Sequence, residues 1–174
     1  MRTVVCFIFL AVLATYGFAQ QTLDVDFTNA NGELIGTSSG LQFFNGTLVS
    51  VGKNGQAPFL AGTVGTVTFT TPAFRSGDIV QGGAFGGGGS FYISTAFDVD
   101  VTASFVSGAW SIVTLPNGTH NYFLKARIKG TMFLNGTIYN IRGAAIQLST
   151  NTGKGLFGGS QYMSGGNTNV VTVP

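Results

Sequence analysis

The sequence predicts an all-β domain: an antiparallel β-sandwich or closed β-barrel of about 8–10 strands joined by tight Asn-Gly hairpins. Three observations carry that prediction. Long stretches alternate apolar and polar residues at a period of two, and Asn-Gly dipeptides punctuate strand-like runs. Helix-forming composition is missing, because Thr, Val, Phe, Gly and Asn outnumber Ala, Leu, Glu, Lys and Arg, and no window shows 3.6-residue periodicity.

The cleanest alternation runs from Ser90 to Val106. Phe91, Ile93, Thr95, Phe97, Val99, Val101, Ala103 and Phe105 fall on one face, with Ser90, Ser94, Asp98, Asp100, Thr102 and Ser104 on the other. This reads as one long half-buried strand, or two in line with a bend. A second long element begins at His120, with Tyr122, Leu124, Ala126, Ile128, Met132 and Leu134 on one face. Phe123, Lys125, Arg127, Lys129 and Thr131 face the other way, and Gly130 marks a bulge or bend.

Asn45-Gly46, Asn117-Gly118 and Asn135-Gly136 are each flanked by strand-like sequence, the strongest short-range hairpin signal. With two-residue loops, Phe43 faces Leu48, Trp110 faces Lys125, Val113 faces Tyr122, and Met132 faces Tyr139. The last register also sets Lys129 opposite Arg142, which like-charge repulsion disfavours, so a ladder break near Gly130 is expected. Beyond Gly143 the apolar phase shifts to Ile146 and Leu148, again a bulge signal. Shorter strands are expected at Leu23–Phe27, Thr63–Thr70, Ile79–Gln81 and Val170–Val173. The run Gly82–Gly89 reads as a flexible or tightly turning connection. A phosphate loop would need Lys-Ser/Thr and a helix after its last glycine.

The ends set the expected compartment. Residues 1–19 read as a signal peptide: Arg2, an apolar run from Val4 to about Leu13, and small residues Gly17 and Ala19 before a cut ahead of Gln20. The run is too short to span a bilayer as a helix, which takes about 20 apolar residues. Residues 20–174 then form a single domain, secreted to the extracellular space or periplasm. The only cysteine, Cys6, lies in the signal, so core packing alone must hold the mature chain.

Charge is scarce, 8% of residues, with a formal net of +2. Basic residues spread along strand-like segments, with acids in the same domain, give no nucleic-acid footprint. Asp98 and Asp100 are expected to pair across strands with Lys125, Arg127 and Lys129. The Asp24/Asp26 and Asp98/Asp100 spacings could suit a glycosidase pair, but a solvated outer face explains them more simply. His120, the only histidine, reads as a surface residue flanking a loop. No Gly-x-Ser-x-Gly elbow and no metal-ligand cluster accompany it. No catalytic residue, metal or cofactor is therefore expected.

Asn45, Asn117 and Asn135 each begin Asn-Gly-Thr and are formal glycosylation acceptors that hairpin turns explain equally well. Trp110, Ile112 and Phe123, on one face with Lys125 and Arg127, make the candidate binding patch for a glycan or cell-surface partner. The expected function is a non-enzymatic exported module with a structural, adhesive or partner-binding role. The alternatives are a small barrel enclosing an apolar ligand and a small outer-membrane barrel. Against the latter stand the non-aromatic end Val171-Thr172-Val173-Pro174 and the scarcity of charge to line a polar lumen.

Overall fold

A computed structural model of the chain describes residues 22–150 and 160–173. The expected signal peptide with Cys6 lies outside the described residues. The described residues form twelve strands: β1 (Asp24–Asn29), β2 (Glu33–Thr37), β3 (Gly40–Lys53), β4 (Leu60–Thr70), β5 (Phe74–Asp78), β6 (Gly82–Phe85), β7 (Gly88–Thr95), β8 (Val99–Thr114), β9 (His120–Leu134), β10 (Thr137–Thr150), β11 (Ser160–Tyr162) and β12 (Gly165–Val173).

Of the two architectures the sequence leaves open, the closed barrel forms. Eight strands run β1-β12-β10-β9-β8-β7-β4-β3, and a β1–β3 pairing closes the ring. With β2, β5, β6 and β11 set aside, neighbours around the ring are also successive in the chain. All pairs are antiparallel, the pattern of an up-and-down barrel. The other four strands extend one end. β2 pairs the Gly40–Phe44 half of β3, and β11 edges β2. The β5–β6 hairpin pairs the Gly108–Ser111 half of β8, beyond the part that β7 covers.

The predicted inward sets of β8 and β9 converge in one continuous apolar cluster on the inside of the ring. Phe105 is its aromatic hub. It makes edge contacts with Phe69, Phe85 and Phe91 at centroid distances of 6.3, 5.5 and 6.4 Å, and Phe43 stacks on Phe69 at 5.5 Å. Gly108 makes room for the Phe85 ring, which lies 2.2 Å from where a Cβ would stand.

Several registers differ from the sequence reading. Ser90–Val106 is a hairpin, β7 and β8, turning at Ala96–Asp98 with Asp98 at φ 54°. The alternation concealed this turn because its length keeps Phe91, Ile93, Val99 and Val101 in one inward phase. Phe97, at the tip, is exposed. Ile79–Gln81 is the β5–β6 turn rather than a strand, and Gly82–Gly89 supplies β6 and the start of β7.

The three Asn-Gly pairs do three different things. Asn135 and Gly136, at φ 50° and 80°, make the expected two-residue turn, with Met132 facing Tyr139. Asn45, at φ 56°, sits in a bulge inside β3, where Phe43 faces Phe69 rather than Leu48. Pro116-Asn117-Gly118 forms a three-residue loop closed by Leu115 N–H donating to Thr119 O at 2.8 Å. Proline presets the first turn residue and Gly118, at φ 81°, takes the left-handed position that follows.

That loop and a bulge at Val106 move β8 by one residue. Trp110 faces Leu124 and Ile112 faces Tyr122, so the second half of β8 points its even residues inward. The expected Lys129–Arg142 clash is avoided, since the β9–β10 ladder breaks between Asn140 and Ala144.

Phe105→Ala should lower the unfolding free energy by about 3–5 kcal/mol, against about 0.5 kcal/mol or less for exposed Phe97→Ala. Urea midpoints of the two variants measure the contrast.

Candidate functional site

The apolar inward set leaves the polar side chains of the strands on the outer face of the barrel. Phe123, Lys125, Arg127 and Lys129 alternate outward along β9 between the buried Tyr122, Leu124, Ala126 and Ile128. Pairing lays two polar rows across the neighbouring strands. One reads Ser111, Phe123, Gln147, Asn167, Thr28; the next reads Ala109, Lys125, Ala145, Asn169, Asp26.

The short side chain of Ala145 lies between taller neighbours. A cleft of about 490 Å³ opens there, lined by Asp26, Ser111, Phe123, Lys125, Gln147, Asn167 and Asn169. Its polar groups are already ordered. Asn169 Nδ2 donates to Asp24 Oδ1 and, at 2.9 Å, to Asp26 Oδ1, while Thr28 Oγ1–H donates to Asn167 Oδ1 at 2.9 Å. Carboxylate, amide and ammonium groups thus surround one aromatic face, offering donors and acceptors to a polar ligand.

Of the four residues in the candidate patch, the structure brings Phe123 and Lys125 together in this cleft. Trp110 and Ile112 belong to the other side of the sheet. Trp110 is 2% exposed, stacks on Tyr122 at 5.3 Å, and donates its indole N–H to Ile79 O at 3.3 Å; Ile112 is half-buried against the core. The signal for this inversion was Pro116, which lengthens the loop by one residue.

Sequence reasoning missed Gln147, Asn167 and Asn169, and noted Asp26 only as part of a solvated pair. Alternation in Asn167-Thr168-Asn169, with Thr168 buried, mirrors Asp24-Val25-Asp26 and was the available hint. Their convergence depends on β1 meeting β12.

The other charged residues depart from expectation. Asp98 sits in the β7–β8 turn, and Asp100 faces Phe133 while its Oδ1 accepts Thr95 N–H at 3.1 Å. Lys125, Arg127 and Lys129 face Ala109, Ser107 and Ser104, so the expected cross-strand ion pairs do not form. His120 is 8% exposed rather than a surface residue. Its Nδ1 hydrogen-bonds Thr114 Oγ1 at 2.9 Å, and its buried Nε2 has no partner among the described residues. Among the described residues no group of three or more His, Cys, Asp or Glu is placed to hold a metal ion.

No protein-family model matches this chain, and no curated protein or solved structure is significantly similar to it.

Trp110 emission should be blue-shifted and shielded from acrylamide in the folded chain, becoming red-shifted and quenchable on unfolding. Burial also raises the Tyr122 pKa above the ordinary 10.0 by desolvating the phenolate. The folded chain therefore holds this proton more tightly than the unfolded one. The contribution is complete below the ordinary value and is lost as pH rises through the folded one. Unfolding free energies measured from neutral pH to above 10 should fall at the alkaline end, and Tyr122→Phe should remove that part of the fall.

Proposed function

We propose that this chain is an exported, non-enzymatic barrel that binds a hydroxyl-rich partner, a glycan chain, through the outer-face cleft across β1, β12, β10, β9 and β8. The observation that carries the reading is the convergence of Asp26, Gln147, Asn167 and Asn169 beside Phe123 and Lys125 in one cleft. Planar carboxylate and amide groups suit pairs of neighbouring hydroxyls, and an aromatic ring suits the apolar face of a sugar. Export rests on the N-terminal charged and apolar segment, which fits the secretory pattern.

The distribution of polarity supports a water-facing barrel over the membrane alternative. Outer-membrane barrels carry apolar residues outside and polar ones inside. Here Phe69, Phe91, Phe105 and Leu124 point in, while Lys125, Arg127, Lys129 and Arg142 are exposed. A lysine or arginine facing lipid at mid-bilayer would cost about 2–4 kcal/mol. The same inward cluster argues against a roomy interior for an apolar ligand.

A panel of immobilised polysaccharides probed with the mature chain tests the proposal. Binding should appear for at least one glycan. Phe123→Ala and Asn169→Ala should each weaken it about tenfold, which is about 1.4 kcal/mol. Binding that both variants leave intact would place the site elsewhere, and no binding across the panel would defeat the reading.

A further inference from the structure

A second cleft of about 490 Å³ adjoins the first and shares Lys125 with it. Apart from Phe85, its uncharged lining is small, including Ala84, Gly108, Ala109 and Gly143, and three cations join it: Lys125, Arg127 and Arg142. The chain has only eight lysines and arginines, so three at one cleft is a marked concentration.

The fold holds these cations together without counter-charges across the ladder. Lys125 and Arg127 are two residues apart on one strand face, about 7 Å along the strand. Their partners are Ala109 and Ala145 for Lys125, and Ser107 for Arg127. Arg142 is the extra residue where β10 shifts register against β12, between Ile141 and Gly143, within the same stretch that breaks the β9–β10 ladder. The two acids nearest in the pairing order, Asp24 and Asp26 on β1, keep their charge while accepting from Asn169, but stand two strands from Gly143 and three strands from Lys125 respectively. Like charges gathered at one cleft repel one another, and an anion placed among them removes that repulsion while gaining charge-assisted hydrogen bonds.

We infer that the ligand of this face is an acidic polysaccharide. Its hydroxyls occupy the Phe123–Asn169 cleft, and a carboxylate or sulfate on an adjoining residue is held by Lys125, Arg127 and Arg142. This inference rests on the glycan reading above and specifies the charge of the chain it takes. Lys125, at the junction, contacts both parts of the ligand. Duplex DNA is a weaker fit, because the two polar rows offer hydroxyl-binding amides and acids where a phosphate backbone would need further cations.

The experiment compares mature wild-type chain, Phe123→Ala and the double variant Arg127→Gln/Arg142→Gln. Each is titrated with neutral dextran, polygalacturonate, dextran sulfate and duplex DNA. Both arginines are exposed, so the double variant should keep the wild-type thermal midpoint. Polygalacturonate or dextran sulfate should bind about tenfold tighter than dextran at low salt, the better of the two identifying the anionic group. About 1 M NaCl, where the screening length is about 3 Å, should abolish that preference. The double variant should lose the preference while dextran binding stays unchanged, and Phe123→Ala should weaken binding of both classes. Equal binding of neutral and acidic chains, or a preference indifferent to the arginines, overturns the inference and leaves the glycan reading standing. DNA binding as tight as the best polysaccharide overturns it too, and no binding by any polysaccharide defeats both.

Discussion

Closure of the sheet by β1 is the constraint on which the rest depends. β1 lies between β12 and β3, with Phe27 facing Thr168 on one side and Val51 on the other. An open eight-stranded sheet would leave two exposed edges and a curved apolar face without a partner. Closing it satisfies both edges and turns one face of every strand into a shared core. Because the sequence contains a single cysteine, no disulfide within the chain can substitute for that core.

The same closure places the side chains of the candidate site. Phe43, Phe69, Phe91 and Phe105 occupy the interior in edge and stacked contacts, and Trp110 with Tyr122 continues the packing toward the end that β2 and the β5–β6 hairpin extend. On the outer surface, side chains from strands distant in sequence become neighbours. Asp26 and Asn169 meet because the first and last barrel strands pair. Lys125 joins them through Ala145, whose small side chain leaves the cleft open.

Bulges aim these side chains. The extra residue at Val106 switches the inward phase of β8 from odd to even, which carries Trp110 into the core and matches it to the unbroken even phase of β9. The shift beside Arg142 swings that guanidinium out of line with Lys129 and toward the cleft near Lys125. Asn45 lets β3 bend so that its first half pairs β2 and its second half pairs β1.

Much of the architecture was legible in the residues. Alternation from His120 to Leu134 correctly assigned the inward side of β9, and Asn135-Gly136 set its register with β10, because both signals are local and backbone sterics enforce them. Phe123 and Lys125 were legible as outward neighbours for the same reason. Trp110 was misplaced because a one-residue difference in loop length inverts a strand, and only the proline before Asn117 hinted at it. Local sequence was enough for an all-β chain, the phases of β9 and of the first half of β8, and the tight turn at Asn135-Gly136, since these follow from periodicity of two and from the left-handed conformations Asn and Gly tolerate. Tertiary structure alone decided barrel over sandwich, the different fates of the Asn-Gly pairs, and the meeting of Asp26, Asn169, Gln147 and Lys125. Those depend on which strands pair, and pairing between residues more than a hundred apart leaves no local mark.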